Sequence, residues 1–151
     1  MAARRALRVL LLVNQFPPDV NTSGKLMRTL ALELTRRGHQ LYIVTTFPHY
    51  AQFRVEPRYR GRLYESAIED GLHVKRVWCF TSGSKQKMWH RLLNYLTYNK
   101  LAFFAAQADG ADYDVITNLH RHYCCVGSYG HVIAELRGAP KFLSTHCGTS
   151  D

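Results

Sequence analysis

The segment "NQFPPDVNTSGKLMRTL", residues 14–30, carries residue types that suit an anion-binding site. Its loop ends in Asn21, Thr22, Ser23 and Gly24, and the first turn of the helix that follows carries Lys25 and Arg28. A helix start presents free N–H groups and the positive end of the helix dipole, and a glycine there lets a ligand approach the backbone. A neighbouring cation adds attraction for phosphate. The segment therefore predicts a phosphate site, and its alternative is a plain helix start capped by Thr22 or Ser23.

The common nucleotide-binding signatures do not fit this segment. It has no GxGxxG pattern, and a Walker A loop would need a glycine at Asp19 and a serine or threonine at Leu26. Any phosphate binding would therefore depend on the helix start itself.

The elements that must position these residues alternate between strand and helix. Apolar runs predict strands at residues 7–13, 40–46, 73–80, 112–119 and 141–146. Between the second and third strands the sequence predicts a long loop rich in basic and aromatic residues. The alternation predicts one α/β domain over residues 1–151, Rossmann-like, with a doubly wound parallel sheet of about five or more strands.

Three helices are predicted by apolar spacing. The first contains Met27, Leu30, Ala31 and Leu34 and ends at Gly38. The second covers residues 87–108, with Trp89, Leu92, Leu93 and Leu96 on one face, and the third lies around residues 129–136. Right-handed crossovers then predict the strand order 3-2-1-4-5. In that order Gly24, Asn118 and His146 gather at the carboxyl ends of the strands, where ligands of such sheets bind.

Composition limits the partners. The 151 residues include 20 Lys and Arg against 11 Asp and Glu, and the net charge of +9 favours anionic partners such as phosphates or an acidic membrane surface. Nucleic acid is not predicted, because no recognisable DNA- or RNA-binding module occurs. The four cysteines form no CxxC pair, which fits a reducing, cytoplasmic setting.

Metal and hydrolase chemistry find little support. The run "HRHYCC", residues 120–125, matches no common zinc spacing, so no metal site is predicted. A serine or cysteine nucleophile has no GxSxG context.

An ordered series of motifs between Leu7 and Asn99 resembles a known family. The series is "LRVLLLVNQFPPDVNTSGKLMRTLALELTRRGHQLYIVTTFPHY", "YRGRLYES", "DGLHVKRVW" and "RLLNYLTYN". It is similar to the amino-terminal domain of family-4 glycosyltransferases of the GT-B type, especially the bacterial branch that builds exopolysaccharides such as colanic acid. The resemblance implies half of a GT-B fold. In that fold this half shapes the acceptor site and a second domain holds the nucleotide-sugar, a co-substrate, with no metal or other cofactor.

The resemblance also implies roles for particular residues. Ser23, Gly24 and Lys25 would face the donor diphosphate, and Asn118 is a further candidate for substrate binding. His146 would lie near the reacting sugar as the catalytic residue.

The loop after the second strand falls where the family places acceptor contacts. His49 and Tyr50 would bind substrate there. The loop's arginines, Arg54, Arg58, Arg60 and Arg62, would meet a lipid diphosphate or an acidic membrane, and Tyr50, Tyr59 and Tyr64 would stack on a sugar. The alternative is an ordered surface loop in which arginine stems serve as cover.

The sequence stops where the family begins its linker and donor domain, so the chain is expected to be truncated and inactive alone. The expected acceptor is lipid-linked or a polysaccharide, and the expected location is the cytoplasm, peripheral to the inner face of the plasma membrane. A different class of function also stays open: a non-catalytic Rossmann-like module that binds a phosphorylated ligand or a partner protein.

Overall fold

The structure, a computed structural model, describes residues 5–19, 21–49, 54–82, 88–108, 110, 112–120 and 142–146. For residues 118–120 and 142–146 only the backbone is described. Tyr50, the predicted third helix and the cysteines at positions 124, 125 and 147 lie outside these residues.

A six-stranded sheet forms the centre of the domain. Its strands are β1 (Arg8–Leu12), β2 (Gln40–Thr46), β3 (Tyr64–Glu69), β4 (Leu72–Val77), β5 (Val115–His120) and β6 (Phe142–His146). The order is β3-β4-β2-β1-β5-β6. Every neighbouring pair is parallel except β3 with β4. The predicted order of five parallel strands is thus confirmed, since it corresponds to β4-β2-β1-β5-β6.

The antiparallel strand β3 corrects the prediction of a continuous loop between β2 and β4. Asp70 and Gly71 connect β3 to β4, with positive φ values of 52° and 79°. Two central residues with positive φ form the turn that joins antiparallel strands most tightly, and Asp-Gly is a preferred sequence for it. A hairpin signal was therefore present in the sequence, although the run before it, Tyr64–Glu69, has few β-branched residues.

The first helix, α1 (Thr22–Arg36), covers one face of the sheet. It buries Gly24, Met27 and Ala31 against a cluster that includes Leu11 and Ile43. The N-cap is Asn21, and neither Thr22 nor Ser23 has this role. The predicted cap residues are wrong by one or two positions because the Asn21 side chain is the one that accepts a hydrogen bond from the Ser23 N–H, at 2.8 Å.

The second helix, α2 (Met88–Gln107), covers the opposite face. It buries mainly small or polar residues, namely Asn94, Tyr98, Asn99, Ala102, Ala105 and Ala106. Trp89, Leu92 and Leu96, which the apolar spacing places on one face, do share a face, but that face points to solvent. In the part of the chain described, neither helix combines the length and the apolar character that a bilayer span needs.

Candidate functional site

The carboxyl ends of the five parallel strands meet at one edge of the sheet, and α1 begins there after β1. Leu12 at the end of β1 pairs with Asn118 of β5, and His120 pairs with His146 of β6. Neighbouring strands lie about 4.8 Å apart, so the His146 backbone is about 10 Å from the line of β1. The topology therefore brings Gly24, Asn118 and His146 to one edge. Their roles stay predictions.

The first turn of α1 is held by its own loop. Gly24 is buried, and a Cβ added there would lie 2.9 Å from the backbone oxygen of Gln15 and 3.3 Å from the Cα of Phe16. Contacts that short force a shift of backbone, so the missing side chain is needed for the packing of helix against loop. Lys25 is exposed next to it and is the cation available to an anion at this helix start.

Two residues that the sequence analysis did not select, Asp19 and Asn21, connect the helix start to the loop after β2. The backbone N–H of His49 lies 3.2 Å from both carboxylate oxygens of Asp19. Asn21 donates its N–H to the Asp19 carbonyl at 3.0 Å, and its side chain caps Ser23. This series of bonds fixes His49 relative to the first turn of α1. Asn21 has a sequence signal as a favoured N-cap type; Asp19 has none, because its partner is 30 residues away.

The ring of His49 is buried, and polar contacts at its Nδ1 atom orient it. Its Nδ1 lies 2.8 Å from the carbonyl oxygen of Phe47 and 3.3 Å from the hydroxyl of Thr46. A carbonyl oxygen can only accept, so Nδ1 is the donor in the contact with Phe47. Thr46 in turn donates to the Asn14 carbonyl at 2.6 Å, which ties the ends of β1 and β2 together.

A thiol and an amide complete this buried polar cluster. Asn94 donates to the Phe80 carbonyl at 2.7 Å and lies 3.3 Å from the Cys79 sulfur, which is 3.9 Å from His49 Nδ1. Burial raises the pKa of Cys79 to about 12, so the neutral thiol is present at physiological pH. Cys79 and His49 thus do not make a thiolate nucleophile. Within the described ranges, no group of three or more His, Cys, Asp or Glu side chains is placed to hold a metal ion.

The loop between β2 and β3 lies at the same edge, because it leaves the carboxyl end of β2 and enters β3 opposite the end of β4. Tyr59 closes a short 3-10 turn at Pro57–Tyr59; it is buried and stacks on Phe47 at 5.0 Å between ring centroids. Tyr59 is therefore a core anchor of the loop, and the prediction that it stacks on a sugar is wrong.

Three arginines of this loop, Arg54, Arg58 and Arg60, are exposed and have no ion-pair partner among the residues that the structure describes. Arg62 instead pairs with Glu65 at 2.7 Å. Tyr64, the first residue of β3, is exposed. The guanidinium of Arg58 lies over the Tyr59 ring, 4.7 Å from its centroid, and Arg54 and Arg60 are exposed on the same loop. An anionic ligand at this loop would therefore meet positive charge.

No protein-family model and no curated protein matches the chain. Among solved structures it is similar to the catalytic domain of starch synthase IV from Arabidopsis thaliana, which was bound to ADP and acarbose. The TM-score is 0.64 at 17% sequence identity, and the match covers 94% of this chain and 34% of that one. The chain thus spans about a third of the length of the starch synthase domain. At this identity the likeness shows the fold alone, a Rossmann-like α/β architecture.

Proposed function

We propose that this chain is the acceptor-side half of a nucleotide-sugar-dependent glycosyltransferase of polysaccharide or glycolipid synthesis, of the family-4 type that its motifs resemble. The observation that carries the proposal is the fold, which matches part of a catalytic domain bound to a nucleotide and a sugar analogue. Transfer would require a second domain to hold the nucleotide-sugar, so the chain alone would be inactive.

The donor diphosphate would lie against the first turn of α1. The Asn21 cap fixes that turn, and Lys25 stands exposed beside it. The attraction would come from the helix N-terminus and the lysine charge, with no metal required. Asn118 and His146, on strands that end at the same edge, would contact the sugars, His146 nearest to the reacting carbon.

The acceptor would enter from the loop after β2. The backbone N–H of His49 donates to the Asp19 carboxylate, so that the loop with Tyr50 would begin from a fixed point. The open guanidinium groups of Arg54, Arg58 and Arg60 favour an acceptor that carries phosphate, such as a lipid diphosphate. Such an acceptor would put the reaction at the inner face of the plasma membrane.

A chimera tests the proposal. The chain would be fused to the donor domain of a family-4 enzyme, and transfer to a water-soluble sugar diphosphate acceptor would be measured. Lys25→Ala should weaken nucleotide-sugar binding about two- to fivefold, more at low than at high salt. Lys100→Ala is the matched control, because Lys100 is an exposed helical lysine on α2, which covers the opposite face of the sheet.

Two results would separate the proposal from its alternative. A folded chimera that transfers no sugar, while the isolated chain binds a phosphorylated ligand in a Lys25-dependent way, would favour the non-catalytic binding module. Equal effects of Lys25→Ala and Lys100→Ala would mean that the first turn of α1 is not part of the nucleotide-sugar site.

A third variant tests the catalytic residue. His146→Ala should lower the turnover number and leave nucleotide-sugar affinity unchanged.

A further inference from the structure

The outer face of α2 carries a row of exposed apolar side chains. Trp89, Leu92, Leu96 and Phe104 are 55%, 52%, 37% and 66% exposed. These residues, here called the α2 stripe, recur at helical spacing, with Lys100 between the last two. The stripe extends about 22 Å along the helix. Exposed apolar side chains arranged in this way on a helix indicate a surface that something covers.

The surroundings of the α2 stripe are cationic. From Gly71 to Ala108 the sequence contains no aspartate or glutamate. On the helix itself, the exposed Lys100 lies on this face, and Lys85 and Lys87 precede the helix in the sequence. An apolar face that carries a lysine, with a tryptophan near one end, is typical of helices that lie in the interface of an anionic membrane.

The position of α2 relates this surface to the candidate site. Asn94 lies within 3.5 Å of Asn14, which follows the carboxyl end of β1. The amino-terminal half of α2 is thus at the same edge as the loop that exposes Arg54, Arg58 and Arg60. A flat anionic surface that meets Trp89 and Leu92 would therefore lie close to the end of the domain where the acceptor is proposed to enter.

We propose that the α2 stripe docks on an anionic lipid bilayer, with the apolar side chains in the interface and the neighbouring cations at the headgroups. The docking deepens the proposed function, on which it rests for the lipid-linked acceptor. A second copy of the chain fits the face less well, because pairing two α2 helices would bring like charges together. Anionic headgroups complement these cations, and each Lys or Arg near such a surface strengthens binding about fivefold.

Vesicle co-sedimentation of the 151-residue chain tests the docking. Binding to phosphatidylglycerol-containing vesicles should exceed binding to pure phosphatidylcholine vesicles at least tenfold and fall with salt. Trp89→Ser and Leu92→Ser should each weaken it several-fold, whereas Leu30→Ser, which alters an exposed leucine on α1, should not. Lys100→Gln should weaken it about fivefold, against no change for Arg36→Gln on α1. Circular dichroism verifies that each variant is folded.

Three outcomes would overturn the docking: equal binding to neutral and anionic vesicles, equal effects of Leu92→Ser and Leu30→Ser, or no vesicle binding together with a dimer that Leu92→Ser abolishes in sedimentation velocity. The last would assign the α2 stripe to contact between copies. The chimera assay uses a water-soluble acceptor, so the two proposals fail separately. If the chain does not bind vesicles but the chimera transfers sugar, only the docking proposal is contradicted. If the chain binds vesicles but the chimera does not transfer sugar, only the glycosyltransferase proposal is contradicted.

Discussion

The two helices cover opposite faces of one sheet and bury different kinds of side chain against it. In α1 the larger side chain Met27 is buried, together with Ala31 and Gly24. In α2 Trp89, Leu92 and Phe104 are exposed, while Leu101 and Phe103 pack against the core in part, and the fully buried side is made of alanine, asparagine and tyrosine. A helical pattern of apolar residues thus indicates a helix in both cases but does not indicate which face meets the sheet.

The sheet face under α2 explains the difference. It contains the buried side chain of Lys75, which donates to the carbonyl of Ala105 at 2.9 Å. From the helix, Tyr98 donates its hydroxyl hydrogen to the carbonyl of Val44 at 3.0 Å. Buried polar groups cost free energy unless they are hydrogen-bonded, and small alanine side chains let helix and sheet come close enough for such bonds. Polar bonds and close backbone approach hold α2, which leaves its large residues free for another surface.

The largest expected change in stability comes from shortening one large apolar side chain in each helix. Met27→Ala should lower the free energy of unfolding by about 2–5 kcal/mol, because it opens a cavity in the packed cluster under α1. Leu92→Ala should change it by less than about 0.5 kcal/mol, because that side chain is half exposed. Urea unfolding followed by circular dichroism measures both. A similar loss for the two variants would show that α2 buries its outer face in solution.

A smaller loss is expected at the helix start of α1. Gly24→Ala should cost about 1–3 kcal/mol, because the new Cβ meets the backbone of Gln15. Gly38→Ala, where the space is open but φ is +89°, should cost only about 1 kcal/mol. Equal losses of stability would mean that the backbone at Gln15 and Phe16 shifts to accommodate the added Cβ. Because Gly24 is needed for packing, lost ligand binding in its variants would not identify an anion site, and Lys25 is the cleaner position to test.

Much of the fold followed from sequence pattern. Runs such as Leu7–Val13 are too short for helices and too apolar for an exposed strand, which fixed the parallel strands and, with right-handed crossovers, their order. The strand β3 was missed because four of the six side chains of Tyr64–Glu69 are charged or carry a hydroxyl, so that only the Asp70-Gly71 turn marks it.

The candidate site was less predictable, because it depends on contacts between distant residues. The first turn of α1 could be located from Gly24 and its polar neighbours. The bond from His49 to Asp19 could not, since it forms only once β1 and β2 pair. Tyr59 shows the same limit: a tyrosine in a basic loop gives no sign that it folds back onto Phe47.

The smallest expected effect is a pH dependence of the free energy of unfolding that arises on the sheet face under α2. Burial raises the pKa of Cys79, on the α2 side, from 9.0 to about 12, and burial likewise raises the pKa of Tyr98. Below pH 9 the thiol is protonated in both the folded and the unfolded chain and makes no difference to pH dependence. Above pH 9 the unfolded chain releases the proton first, so the free energy of unfolding should fall as pH rises, by up to about 1.4 kcal/mol per pH unit.

The Cys79→Ala variant isolates this contribution. Urea unfolding at pH 8, 9, 10 and 11 should show a shallower decline for the variant than for the unaltered chain, because the exposed lysines and other shared groups cancel in the difference. Tyr98→Phe should remove a further part of the slope, starting above the ordinary tyrosine pKa of about 10. Parallel pH profiles for all three proteins would mean that water reaches Cys79 and Tyr98, and that α2 is not packed on the sheet as described.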